Sequence, residues 1–150
     1  MPSGKTEIIM DLSIREVWNF VKDMDSWAPL VPGYITHKKI SEHLSEWVFK
    51  QDIGIIKKKV TLLITIKEWI EPEKVTFTLN GVTENITGEG YFQAESLGKN
   101  RTKMTGYLDM TAGGPIAAMM NAVLKNSVPK TGEKMTAAIA AKLGEIKAGR

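Results

Sequence analysis

GGPIAAMMNAVLKNSVPKTGEKMTAAIAAKLGEIKA, residues 113–148, is the one stretch of this 150-residue chain long and periodic enough to be a dominant helix. Ile116, Met120, Leu124, Val128, Met135, Ile139, Leu143 and Ile146 recur in steps of three and four, with Gly132 in the one empty place and Val123 beside Leu124. A strand cannot produce that period, whereas an α-helix that buries one side does. Gly113-Gly114-Pro115 sets proline at the first helical position, where its missing amide would have had no partner. At the usual rise per residue the segment is about 50 Å long. Pro129 removes one ladder hydrogen bond and crowds the turn before it, so a kink or break is expected near Val128.

Working back from the helix, the chain reads as strands. Asn85 to Leu97 and Arg101 to Thr111 flank Gly98-Lys99-Asn100, a hairpin signal. Gly88, Gly90, Phe92 and Ala94 share a face of the first; Met104, Gly106, Leu108 and Met110 share a face of the second. Glycine inside a strand costs stability and points to a bulge, curvature or close approach by another element. Val75, Phe77 and Leu79 alternate with Thr76, Thr78 and Asn80, and Val60, Leu62, Ile64 and Ile66 alternate with Lys59, Thr61, Thr65 and Lys67. Glu68 continues that inward parity, which makes it either a polar contact at a cavity edge or a solvated strand end. Glu89 is expected to point away from the Phe92 face. Tyr34 to Glu42 and Trp47 to Ile53 alternate less cleanly, across a His43 to Glu46 turn.

Lys5 to Asp11 is the first strand, with Thr6, Ile8 and Met10 on one side. Ser13 and Glu16 then form a capping box for a short helix that faces inward through Val17, Phe20 and Val21. Asp23 to Leu30 is a second short helix or turn, closed by Pro29 and Val31-Pro32-Gly33. The order predicts one α+β domain over residues 1–150: a curved antiparallel sheet of about six to seven strands wrapped on a long C-terminal helix, with two short helices after the first strand.

Composition narrows the function. Twenty basic and 17 acidic residues give a net charge of +3, too mild to argue for nucleic acid. Lys57-Lys58-Lys59 reads as a solvated strand end or hairpin tip, with membrane contact at most peripheral. There is no cysteine, so disulfides and thiolate metal sites are out and a cytoplasmic location is expected. No run approaches the ~20 apolar residues that span a bilayer. His37 and His43 would lie about 20 Å apart along a strand, and both read as surface or hairpin histidines. Nucleophile elbows, phosphate-binding glycine loops and zinc-ligand spacings are missing, so no catalytic residue, metal or cofactor is expected.

Val17-Trp18, the segment from Asp23 through Pro32-Gly33, Gly88-Glu89-Gly90 and Gly113-Gly114-Pro115-Ile116-Ala117 together resemble the carbon monoxide dehydrogenase G-subunit family, within the START-like (SRPBCC, helix-grip) superfamily. The resemblance implies an apolar cavity between sheet and helix and an accessory role beside a partner enzyme, a molybdenum hydroxylase. The C-terminal membrane-anchoring extension of some members is not carried over, since this sequence stops at Arg150. The expected function is noncatalytic binding of a hydrophobic or amphipathic small molecule, lipid- or quinone-like, by a monomer or homodimer. Alternatives are an accessory or assembly protein, and a cyclase- or hydrolase-type enzyme. The expected ligand contacts are Leu62, Ile64, Phe77, Leu79 and Phe92 from the sheet and Met104, Leu108 and Met110 from the last strand. Met119, Met120 and Val123 join them from the helix, with Trp27 and Leu30 at the mouth. Methionine's flexible thioether suits surfaces that adapt to varied ligands.

Overall fold

The computed structural model describes residues 3–31, 33–53, 56–82, 85–115 and 117–148, and among these not the side chains of 51–53, 56–58, 123, 126, 127, 147 and 148. Strand β1 (Ser3–Met10) leads into α1 (Ile14–Val21), α2 (Met24–Trp27) and a 3-10 turn (Ala28–Leu30). Six strands follow: β2 (Tyr34–Lys39), β3 (Leu44–Ile53), β4 (Ile56–Ile70), β5 (Lys74–Gly81), β6 (Ile86–Gly98) and β7 (Arg101–Ala112). Helix α3 (Ala117–Ala148) closes the chain. The strands form one antiparallel sheet in the order β1-β7-β6-β5-β4-β3-β2. This is the α+β arrangement that the periodicities predict.

Local chemistry accounts for most boundaries. The Ser13 hydroxyl accepts from the Glu16 amide, and the Glu16 carboxylate accepts back from the Ser13 amide. Such a box is worth about 1 kcal/mol to the helix start. Asp23 caps α2 by accepting from the Asp25 amide at 3.0 Å. Pro32 of the expected hinge lies outside the described residues. The β2–β3 turn falls at residues 40–43, three residues earlier than its predicted start at His43, because Leu44, Ser45 and Glu46 already pair with β4. The tip between β3 and β4, and the side chains of Lys57 and Lys58, lie outside the described residues; Lys59 is exposed.

Three expectations change. Helix α3 begins at Ala117, beyond Ile116, itself outside the described residues; Gly114, at φ +83°, turns the chain first and Ala117 donates to its carbonyl. Second, α3 is unbroken through Pro129. Third, the pairing of β4 with β5 shifts between Ile66 and Glu68. That bulge reverses parity, so Glu68 stands on the outer face, where its carboxylate accepts from the Thr76 hydroxyl at 3.4 Å, and Trp69 turns inward. Trp69 meets the fully buried Trp18 edge to face, ring centres 5.3 Å apart. Glu89 stands on the outer face opposite Asp109, as its parity predicts.

The helix packs on β1 and β7. At its first turns the Asn121 side chain accepts from the Ala112 amide at 2.8 Å and donates to the Ala112 carbonyl at 3.0 Å, two bonds worth about 1 kcal/mol each. At its middle the backbone comes down on β1: a β-carbon on Gly4 would sit 2.8 Å from Pro129 Cα. One turn on, Gly132 faces the Thr6 hydroxyl and Thr136 faces Gly106, at ordinary contact distances. On β6, a β-carbon at Gly90 would lie 2.5 Å from the Tyr107 carbonyl and 2.6 Å from the Phe77 ring, so the sheet bends there and Phe77 fills the space.

Two substitutions at this seam should behave oppositely in thermal unfolding. Gly4→Ala forces helix and strand apart and is expected to cost about 1–3 kcal/mol. Gly132→Ala meets only ordinary contact with Thr6 and removes a mid-helix glycine, so it should leave the protein unchanged or stabilise it by up to about 1 kcal/mol. Equal melting temperatures for the two variants would refute the close approach at Gly4.

Candidate functional site

Because α3 covers β1 and β7, the inner faces of β3 to β6 meet it only at one side, while the 3-10 turn bridges from β2 to the helix. Two apolar clusters line this interior. The first buries Val60, Leu62, Leu79, Ile86, Met110, Ala112, Leu124 and Val128; Phe49, Ile64, Phe77, Leu108 and Met120 pack against it yet stay partly accessible. The second buries Leu12, Val17, Phe20, Val21, Met104, Ile139 and Leu143, with Trp27, Leu30, Phe92 and Met135 partly covered beside it.

The expected ligand contacts divide between these clusters. Leu62, Ile64, Phe77, Leu79, Leu108, Met110 and Met120 meet in the first, whereas Trp27, Leu30, Phe92 and Met104 belong to the second. Met119 belongs to neither: it is 59% exposed, one residue and about 100° around the helix from Met120. The side chain of Val123 lies outside the described residues.

A polar group that the sequence did not disclose stands at the β2 side. The register of β2 on β3 shifts between Tyr34 and Thr36, so Tyr34 opposite Phe49 and His37 opposite Trp47 both turn inward, although three residues apart. The Tyr34 hydroxyl lies 2.6 Å from His37 Nδ1, and His37 Nε2 lies 2.6 Å from Asp25 Oδ1. Lys39 Nζ donates to Asp25 Oδ2 at 3.0 Å and stands 3.7 Å from Asp23. His37, read from the sequence as a surface residue, has only 11% of its side chain exposed. Its ring lies 5.1 Å from that of Trp47, which is itself 1% exposed.

Trp47 is the hub of this corner. It stacks on Phe49 at 5.8 Å and on Trp27 at 5.5 Å, and its indole N–H donates to the Ser45 hydroxyl at 2.8 Å. Trp27 is fixed in turn by donating to the Val21 carbonyl at 3.0 Å. The hydrogen bonds from Lys39 and then from His37 hold the Asp25 carboxyl below the usual carboxylate range. The same bond from Asp25 raises Lys39.

Beyond these clusters, a cavity of about 360 Å³ opens where Lys22 and Met24 of the α1–α2 junction face Ser45, Ile66 and Trp69, with His43 on its rim. None of the expected ligand contacts lines it. Among the described residues no group of three or more histidines or carboxylates could hold a metal ion. No helix among them is long and apolar enough to cross a membrane.

One protein-family model matches the chain over residues 1–148. No curated protein matches the sequence. Solved structures match closely in shape. A conserved protein from Geobacillus kaustophilus superposes with a TM-score of 0.81 at 18% identity, covering 95% of each chain. A START superfamily protein from Mycobacterium smegmatis gives 0.75 at 14% identity, covering 96% of this chain and 98% of that one. The Zhui aromatase/cyclase from a Streptomyces species gives 0.69 at 12% identity, covering 95% and 93%.

The chain has the START-like, helix-grip fold. At these identities the likeness fixes the architecture and leaves the site to be argued from this chain's residues. In this chain the polar part of the interior is the hydrogen-bonded line from Asp25 through His37 to Tyr34. Sequence reading misses it because strict alternation separates positions 34 and 37, and nothing in the intervening Ile35-Thr36 marks the bulge.

The pairing of Asp25 sets the sign of one pH effect. Its ordinary unfolded value is about 3.9 and its folded value is lower, so the carboxylate stabilises the fold above that range and the contribution disappears as pH falls through the folded value. The melting temperature of the wild type should therefore exceed that of Asp25→Asn at neutral pH, with the gap closing on acidification. A gap independent of pH would show that Asp25 is not held as a carboxylate.

Proposed function

We propose that this START-like domain binds a hydrophobic or amphipathic small molecule, lipid- or quinone-like, between the inner face of β3 to β7 and the first half of α3. One observation carries the reading: Phe49, Ile64, Phe77, Leu108 and Met120 are apolar, lie together on the inside, and are not fully covered by protein. Apolar surface left open to water is unfavourable by ~25 cal/mol per square ångström, and a ligand that covers it recovers that amount. The Tyr34–His37–Asp25 line supplies the few polar groups by which such sites orient a ligand.

A second reading, a cyclase-type enzyme, draws on the same line of ionisable groups and on the likeness to the Zhui aromatase/cyclase. The narrower kinship to the carbon monoxide dehydrogenase G-subunit family, with a place beside a molybdenum hydroxylase, rests on the sequence motifs alone. Co-purification of such an enzyme with the tagged chain from its native host supports it; a hydroxylase fully assembled and active without the chain counts against it.

The binding reading predicts that gently purified protein carries an apolar passenger in native mass spectrometry and takes up an anilinonaphthalene sulfonate dye. Leu108→Trp, which fills the interior, should weaken dye binding at least about tenfold, the effect of about 1.4 kcal/mol. Met119→Ser, outside both clusters, should leave it unchanged. Equal dye binding by wild type and Leu108→Trp would remove the chamber from consideration.

A further inference from the structure

The Tyr34–His37–Asp25 line has a direction, and the direction selects a ligand. Asp25 is held as a carboxylate by Lys39 at 3.0 Å, so it accepts, and His37 Nε2 must carry the hydrogen between them. A neutral imidazole with its hydrogen on Nε2 has a bare Nδ1, which makes the Tyr34 hydroxyl the donor of the other 2.6 Å bond. Tyr34 has one proton, and that proton is committed to His37. Toward any third group the phenol oxygen offers only lone pairs.

We propose that Tyr34, His37 and Asp25 form a proton-accepting site for an acidic hydroxyl on the ligand, so that the domain takes phenols and enols in preference to esters, ethers or plain hydrocarbon chains. The inference rests on the inner face being a ligand chamber. Tyr34 pairs with Phe49, one of the partly accessible residues of the first cluster, which places the line beside that chamber. The ligand's O–H bond breaks as its proton bonds to the Tyr34 oxygen, while the proton previously on Tyr34 passes to His37 Nδ1. The ligand is left as an oxyanion hydrogen-bonded to Tyr34, and His37 as an imidazolium between Tyr34 and Asp25. Total charge is conserved and no oxidant or reductant is required.

The surroundings favour that charge pair. The polar groups bonded to the imidazole are Tyr34 from its own strand and Asp25 from α2; Lys39 and, through it, the cap residue Asp23 stand behind Asp25, and Trp47, opposite on β3, is uncharged. The ring is backed by Trp47 on one side, and its hydrogen bond to the largely exposed Asp25 carboxylate is 2.6 Å long. A purely structural tie between α2 and β2 would need no inward hydroxyl, and Asp25 with Lys39 would suffice for it.

The test compares 4-nitrophenol with 4-nitroanisole, which differ at the hydroxyl, by displacement of anilinonaphthalene sulfonate near neutral pH. The wild type should bind 4-nitrophenol at least tenfold more tightly, with a larger nitrophenolate absorption band than free ligand shows in the same buffer. Tyr34→Phe should reduce nitrophenol affinity to that of nitroanisole and abolish the extra band, leaving nitroanisole affinity unchanged. Should Tyr34→Phe not fold, Asp25→Asn, whose side chain is largely exposed, should still lose the extra band. Equal affinities in the wild type without an extra band would overturn the proton-accepting role while leaving the chamber standing. An equal loss for both ligands in Tyr34→Phe would overturn it as well. If neither ligand nor the dye binds, the chamber reading itself falls.

Discussion

The backbone contact between Pro129 and Gly4 governs the rest of the structure. A helix normally stands off a sheet by the depth of two side-chain layers. Here a residue without a side chain lets the helix come down onto β1 itself. With Asn121 clamping one end to β7 and Ile139 and Leu143 packed with α1 at the other, α3 has little freedom to slide. It is thereby held over β1 and β7 instead of over the middle of the sheet. The apolar inner faces of β4 and β5 are covered in part by Leu124 and Val128 of the helix, while Ile64 and Phe77 stay partly accessible.

Two reversals of strand parity decide which side chains reach the two ends of this interior. The one in β4 brings Trp69 against Trp18, so two indoles meet at the α1 end of the interior, one of them still exposed. The one in β2 brings Tyr34 and His37 inward against Trp47, so the other corner acquires hydrogen-bonding groups backed by aromatic rings. Each bulge changes the chemistry of a whole strand end without altering composition. The cost is a locally disrupted ladder, and both lie near strand ends, where less pairing is lost.

Most of the architecture was legible because it rests on period. The seven strands, the capping box at Ser13 and the inward faces of β5, β6 and β7 all follow from alternation or from residue types at fixed spacing. The glycines of β6 announced curvature, and the structure shows why, with Phe77 and a neighbouring carbonyl occupying the place of a side chain at Gly90. The failures have different causes. Pro129 reads in isolation as a kink or a break, and of the two the break is overturned: the helix continues through it against β1, where tertiary packing outweighs a local propensity. The inward parity of Glu68 and the surface reading of His37 fail because a single inserted residue reverses parity and the amino acids at a bulge need not be special, while the reading of Glu68 as a solvated strand end holds. Asp25 joins His37 from a separate element, a meeting that no local pattern encodes.

The sheet is open, and its edges are β1 and β2. An exposed edge invites pairing with another chain, and proteins discourage this with short strands, bulges and lysine. β2 carries all three: six residues, a register shift after Tyr34, and Lys38 with Lys39. The bulge that aims Tyr34 inward is also what spoils the strand as a template. Lys39, which keeps Asp25 charged, also guards the edge. Removing Lys39 or the bulge would therefore loosen the hydrogen-bonded line and weaken the guard on this edge at the same time.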